Sequence, residues 1–413
     1  MRSIVILAAF SFLSTNAAAQ TCNITLKDAN VWNGSGYSKS TLAIRDGLFV
    51  TASADTQSID ASSLFLTPPF ADAHTHTIDA GEPGNALHKR ALSQGVFYAL
   101  NPNNIRPPGP TPKAQAGLVE LQAAGGGLTR PGGHPQPLYE FLAGRGWLGP
   151  LKVADLPGKA FYPVTTVEEV RAAIRAVKEN GAEVVKLYLL DHDKVDSNGL
   201  SGANFDAAVV EAKRIGLRPI VHVESAADYR RAIAAKVFAI VHLPYSLGKN
   251  RKAEDLLLTK ADAETTAKAG IVIVPTATVA LMNSDGEKLR AIRDTQRRNL
   301  SLLRAAGATI AAGADNFSLG MHDEVTSLRS LEIFDAAEII NIATTNGARL
   351  AFPGRKLGKI ETGYEASFVG YFFPLPGNWA SEREPVIGMR AGEVLIDNAN
   401  LLAKACAPPV ASK

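Results

Sequence analysis

Apolar and polar positions along this chain follow two rhythms. After residue 20, short apolar pieces of strand length, Ile24 to Leu26, Leu42 to Ile44 and Leu48 to Val50, are separated by turn pairs such as Asn33-Gly34 and Asp46-Gly47. The same texture returns from about residue 354, with Phe368 to Phe373 and Glu393 to Ile396. In between, apolar runs alternate with helical periods. Residues 166 to 180 carry an amphipathic pattern, with Thr165 or Thr166 placed to cap it and Gly181 placed to stop it. Phe205 to Ile215 ends at Gly216 and Leu289 to Ala306 ends at Gly307 in the same manner. Each helix feeds the next apolar run, as parallel βα structure requires. The expected fold is α/β: a (β/α)8 TIM barrel over residues 66–353, with a small β-sandwich built from residues 20–65 and 354–413.

The stretch from Asn101 to Val164 breaks the rhythm. It is rich in Pro and Gly, with Pro107-Pro-Gly-Pro110 and Gly125-Gly-Gly127, and holds one strand-like piece, Leu118 to Ala123. In a barrel it forms long loops at the active face, which carry specificity or act as lids. Leu118, Val119, Tyr139, Phe141 and Trp147 supply apolar anchors that a plain linker lacks.

The 413 residues exceed what one compact domain needs. A formal net charge of +3 gives no reason to expect nucleic acid or an anionic membrane as partner. Residues 1–19 read as an export signal: Arg2, then an apolar core from Ile4 to Phe12, then Ala17-Ala-Ala19 for cleavage. That core is too short to span a bilayer. The mature chain is therefore expected in the periplasm or outside the cell, with no integral membrane association.

Five apolar runs end in residues that bind metals or move protons. Asp72-Ala-His74-Thr-His76 closes the run from Leu64, and histidines at i and i+2 of a strand point the same way. Asp72 is placed to orient an imidazole from behind. Lys186 lies in Glu183 to Leu190, His222 closes Arg218 to His222, His242 closes Phe238 to His242, and Asp315 follows Ala308 to Ala314. Taken as the first, fourth, fifth, sixth and eighth strands of a barrel, all five runs deliver these residues to the C-terminal face, where such enzymes keep their active sites.

This constellation resembles the amidohydrolase superfamily, and within it the imidazolonepropionase-like and prolidase-like branch. The likeness extends to Lys186-Leu-Tyr188, to Gly132-Gly-His134, to Gly313-Ala-Asp315, and to Leu357-Gly-Lys-Ile-Glu-Thr-Gly363 at the exit from the barrel. It implies a metal-dependent hydrolase of amide, peptide or cyclic amide bonds. His74, His76 and Asp315 would hold one divalent ion and His222 and His242 another, bridged by a carboxylated (carbamylated) Lys186. Zinc suits this ligand set, and manganese, iron or cobalt fit it too. Asp315 would also act as general base and then acid. Tyr188 would stabilise the oxyanion, and His134 would reach the site from its loop. Each residue has a plainer alternative: a snorkelling lysine, a core tyrosine, a surface histidine, an N-capping aspartate. His322 is the weakest member of the set, and His88 and His192 receive no role.

The resemblance also places both chain ends in one small domain. Export would permit Cys22 and Cys406, the only cysteines, to form a disulfide there; the alternative is two free thiols at the chain ends. Departures from the branch bear on substrate. His242 is followed by Leu-Pro instead of glycine, and Gly95 to Pro102 lacks the branch's threonine pair. The expected partner is a small amide or dipeptide-like molecule, and a homo-oligomer stays open. Two other readings use the same residues: a lactonase or esterase, and a non-catalytic barrel that binds a metal or ligand.

Overall fold

The middle of the chain folds into parallel strands that end level with one another. The computed structural model describes residues 21–51, 56–78, 85–105, 117–244, 251–283, 285–316, 318–377, 384–403 and 405–406. The export signal expected at 1–19 and the Pro107 to Pro110 run lie outside them.

A six-stranded parallel sheet runs in the order Phe161–Pro163, Gly127–Thr129, Val184–Tyr188, Arg218–His222, Ala239–Val241 and Val272–Val274. A three-stranded parallel sheet runs Phe70–Asp72, Val96–Asn101 and Glu120–Ala123. Val96–Asn101, Val184–Tyr188 and all but the first residue of Arg218–His222 are buried on both faces, so these strands are mostly apolar and do not alternate. Each fully buried Val or Ile side chain in them contributes about 1.5–3 kcal/mol.

The run Ala308 to Asp315 is expected as a strand but forms only one bridge, Ile273 with Ile310. It changes neighbours within a few residues. Ala311 N–H donates to Ile273, whereas Ala312 donates to Ile342 and accepts from Ala73 N–H. Asp315 N–H then donates to the carbonyl of His74, at 2.8 Å. A segment that switches partners this quickly cannot keep a ladder register. It nevertheless ties the last strand of the six-stranded sheet to the first of the three-stranded one, in a TIM-barrel-like α/β fold.

The helices follow the local signals. Thr166 caps helix Val167–Glu179 by accepting from Glu169 N–H, and the Glu169 carboxylate accepts from Thr166 N–H in return. Such a cap is worth about 1 kcal/mol. Val170, Ala173, Ile174 and Val177, spaced for one helix face, are the buried residues. Gly181 terminates the element with φ +88°.

Both chain ends join one eight-stranded sheet. Its path is Glu393–Asp397, Ile387–Arg390, Phe368–Tyr371, Phe65–Thr67, Ile24–Trp32, Tyr37–Arg45, Leu48–Val50, with Gln57–Asp60 also pairing Ile24–Trp32. Two packed sheets were the expectation; the described residues form this one continuous sheet over a separate small core that includes Ile24, Leu26, Ile44, Phe49 and Phe368. Cys22 and Cys406 are joined by a disulfide, with Cα atoms 5.0 Å apart.

Candidate metal centre

The strand ends bring eight predicted residues together. His74 and His76 follow strand Phe70–Asp72 directly. Their Nε2 atoms lie 3.1 Å apart, and both approach Asp315 Oδ1, at 3.4 and 3.2 Å. His242 Nε2 reaches the other Asp315 oxygen at 3.6 Å. The rings of His242 and His222 are 4.2 Å apart between centroids, and His134 packs 5.1 Å from His222 and 5.2 Å from Tyr188. Register explains part of this: Tyr188 lies directly opposite His222 in the ladder, and Lys186 is two residues before Tyr188 on the same strand face. Lys186 Nζ stands 5.3 Å above the Tyr188 ring and makes no hydrogen bond among the described residues.

Three imidazoles have one ring nitrogen already paired, and for His76 and His242 it is the nitrogen turned away from Asp315. His76 Nδ1 pairs with the Asn103 carbonyl at 3.2 Å, His242 Nδ1 with Thr276 Oγ1 at 2.6 Å, and His222 Nε2 with Glu224 Oε1 at 3.3 Å. The Asn103 carbonyl and the Glu224 carboxylate can only accept, so they hold the ring proton on His76 Nδ1 and His222 Nε2 and leave the other nitrogen with a lone pair for a cation, whereas the Thr276 hydroxyl can serve His242 as donor or acceptor. Burial, the largest influence, holds His74, His222 and His242 well below the ordinary imidazole value. The His74 and His242 contacts with Asp315 are therefore not ion pairs. They are neutral nitrogens and a carboxylate converging on one point, a donor set that fits a divalent ion. His74, His76 and Asp315 place their ligand atoms within 4.8 Å of one another.

The remaining ionisable groups are tuned as well. Burial pushes the Lys186 amine down to about 7 against the pull of Asp315, so a neutral amine is accessible at ordinary pH. Burial would raise the Asp315 carboxyl, but the close approach of His76, His242 and Lys186 outweighs it and holds the group at about 2. Burial raises the Tyr188 hydroxyl well above its usual value, so it stays protonated and able to donate. Burial brings His134 down to about 4.

Backbone strain gathers here too. His242, Thr276 and Asp315 all have positive φ, at +67°, +47° and +45°. For the β-branched Thr276 this is a costly conformation, of the kind retained at functional sites.

The sequence pattern of the Amidohydrolase family matches residues 136–395. This chain belongs to the amidohydrolase family. No curated protein sequence matches it significantly. Among solved structures, A. niger ochratoxinase superposes with a TM-score of 0.70 at 19% identity, over 92% of this chain and 96% of the other. A Xaa-Pro dipeptidase with bound methionine gives 0.65 at 19% identity, over 90% and 99%. Phenylurea hydrolase B gives 0.68 at 16%, over 95% and 100%. At these identities the likeness is one of fold.

Other predicted residues lie off the amidohydrolase centre or act differently. Asp72 does not orient an imidazole. It is buried and accepts the backbone N–H groups of His74 and Ala314, which fixes the first and last ligand segments to each other. His322 bonds the Gln94 carbonyl and edges onto Phe70, and His88 accepts from Val119 N–H. His192 pairs with Asp228 at 2.7 Å.

Sequence reasoning missed Asn103, Thr276, Glu224 and Arg251. Asn103 does more than hold His76: its amide oxygen accepts from Gly127 N–H and its amide nitrogen donates to Tyr139 and to the Ala160 carbonyl. The one available signal was the Asn-Pro-Asn-Asn ending of the second strand, where the branch's threonine pair is missing.

Proposed function

We propose that this amidohydrolase is an exported, metal-dependent enzyme that cleaves amide, peptide or cyclic amide bonds at a binuclear centre. The observation that carries the reading is the convergence of His74 Nε2, His76 Nε2 and Asp315 Oδ1 on one point, with His222, His242 and a buried Lys186 around it. His74, His76 and Asp315 would hold one ion and His222 and His242 the other, with a carboxylated Lys186 as the shared ligand. Zinc is the ion we expect. When bound, the ions lower the pKa of a water to about 7 and polarise the scissile carbonyl.

The chain's own groups do the rest. Asp315, held ionised, accepts a proton from the attacking water and returns it to the leaving nitrogen. Tyr188 donates its hydroxyl proton in a hydrogen bond to the carbonyl oxygen as negative charge builds there. His134, neutral and close to Tyr188, lines the approach from its loop. Peptide-like or N-acyl amino-acid substrates suit this arrangement; the Xaa-Pro dipeptidase among the structural neighbours supports that class by fold alone. The expected export signal and the closing of the parallel strands into a (β/α)8 barrel beside the terminal sheet complete the reading.

Metal content of the purified protein, measured beside Lys186→Met and followed by a panel of dipeptides, N-acyl amino acids and lactones, tests it. Near two equivalents in the wild type, fewer in the variant, and turnover of C–N substrates are expected. One equivalent or none, unchanged in the variant and unrestored by added metal and bicarbonate, overturns the bridged centre. Turnover of lactones alone transfers the chain to the esterase reading.

A further inference from the structure

Arg251 comes from the segment after His242, far from any motif, yet it is one of the most tightly held charges near the centre. Its side chain is only 4% exposed. It forks onto Asp191, through Nε at 3.1 Å and Nη2 at 2.7 Å, and its Nη1 donates to Glu224 at 2.8 Å. The other oxygen of Glu224 meets His222 Nε2 at 3.3 Å. Asp191 is itself fixed: its backbone N–H donates to the fully buried Asp228, which also accepts from the N–H and ring of His192 and from Ser225. Asp191 also pairs with Lys194, at 3.2 Å.

A carboxylate on the remote nitrogen of a ligand histidine decides which tautomer that histidine adopts. An ammonium could replace the charge of Arg251 but not its fork, which is needed to hold two carboxylates at once. Doubly paired and buried, Arg251 has no face left for a substrate carboxylate. Its geometry is that of a clamp joining the segments that leave strands Val184–Tyr188 and Arg218–His222.

We propose that Glu224 and Arg251 are positioning residues for the second ion: Arg251, anchored on Asp191, holds Glu224 against His222 Nε2, which keeps the proton there and leaves His222 Nδ1 as the ligand nitrogen. This rests on the binuclear reading above.

The test uses full-length mature protein, stripped with a chelator and titrated with zinc against a fluorescent competitor. The tautomer of His222 is read in parallel by nitrogen NMR of histidine-labelled apo protein. In Glu224→Ala, the weaker-held ion should lose about 10–100-fold in affinity, with mixed tautomers at His222 and the other ion unaffected. Glu224→Gln keeps an acceptor oxygen and should recover most of both. Arg251→Met should resemble Glu224→Ala, and Arg251→Lys should fall between it and wild type. His222→Ala marks what complete loss of that site looks like. Wild-type affinity and a single tautomer in Glu224→Ala, while His222→Ala loses an ion, overturn the positioning role and leave the binuclear centre standing. A wild-type protein that binds no second ion, with His222→Ala indistinguishable from it, overturns the centre itself. Arg251→Met with wild-type affinity removes Arg251 from the proposal.

Discussion

Gly313 and His74 are packed so closely that a methyl group on Gly313 would stand 2.6 Å from the His74 backbone nitrogen and 2.7 Å from its Cβ. The backbone cannot swing away as a flexible side chain would. Here glycine serves close approach: it lets the segment carrying Asp315 lie against the segment carrying His74, whose carbonyl accepts from Asp315 N–H.

Gly313→Ala should therefore damage the centre before it damages the fold. Overpacking of this kind costs about 1–3 kcal/mol, and the displaced group is His74. We expect a folded protein with a lowered melting temperature and reduced metal content, both measurable on one preparation. A variant that melts several degrees lower but binds metal as wild type does would show that His74 and Asp315 tolerate the shift.

Asp315→Asn tests the proton-moving role. The variant keeps the size of the side chain and much of its hydrogen bonding, but an amide cannot take up the water's proton. kcat should fall by at least about 100-fold, in the range expected for a lost general acid–base, while circular dichroism stays unchanged. Activity within a few-fold of wild type would remove Asp315 from that role.

Much of this was legible in the sequence. The helices at 167–179, 202–214 and 286–305 follow from apolar period and terminal glycines, and the first two also from capping side chains, because those signals act within a few residues of where they are read. That the histidines, Lys186 and Asp315 gather at one end of the strands was readable for a similar reason: each lies in or just after its own apolar run. What escaped were interactions between segments. Glu224 shares the strand exit of His222, two residues on, but nothing in its neighbours marks Arg251 as its partner. Thr276 and Asn103 matter through hydrogen bonds to rings that reach them only in the folded chain. The run Ala308 to Asp315 was misjudged as a regular strand because composition shows its burial but not that it changes neighbours midway.

The disulfide offers a separate handle on stability. Cys22 packs in the small core under the terminal sheet, and its backbone N–H donates to Gly392 at 2.8 Å. Cys406→Ala should cost about 2–4 kcal/mol, seen as a lower denaturant midpoint that added reductant does not lower further, whereas wild type drops to meet it. Metal content should not change, since none of the centre's residues belongs to that core. Loss of metal on reduction would instead tie the terminal sheet to the centre.

Glu324 gives a pH signature with a definite sign. It is fully buried and accepts the N–H groups of Ala277 and Thr278, each at 2.8 Å, next to the strained Thr276 that holds His242. Burial, only partly offset by those bonds, raises its carboxyl from 4.5 to about 7. Between those values the folded chain keeps a proton that the unfolded chain has released. Stability from this group is therefore fully present below about 4.5, falls as pH rises through the window, and levels off above about 7. The loss is roughly 3 kcal/mol at most. Glu324→Gln cannot ionise, so it lacks this slope, although it gives up one good acceptor and starts less stable. Denaturant midpoints of the two proteins, compared at half-unit steps across the window, should show the variant gaining on wild type as pH rises. A constant difference, or one that moves toward wild type, would mean that Glu324 is ionised throughout, with its two N–H donors offsetting the cost of its burial.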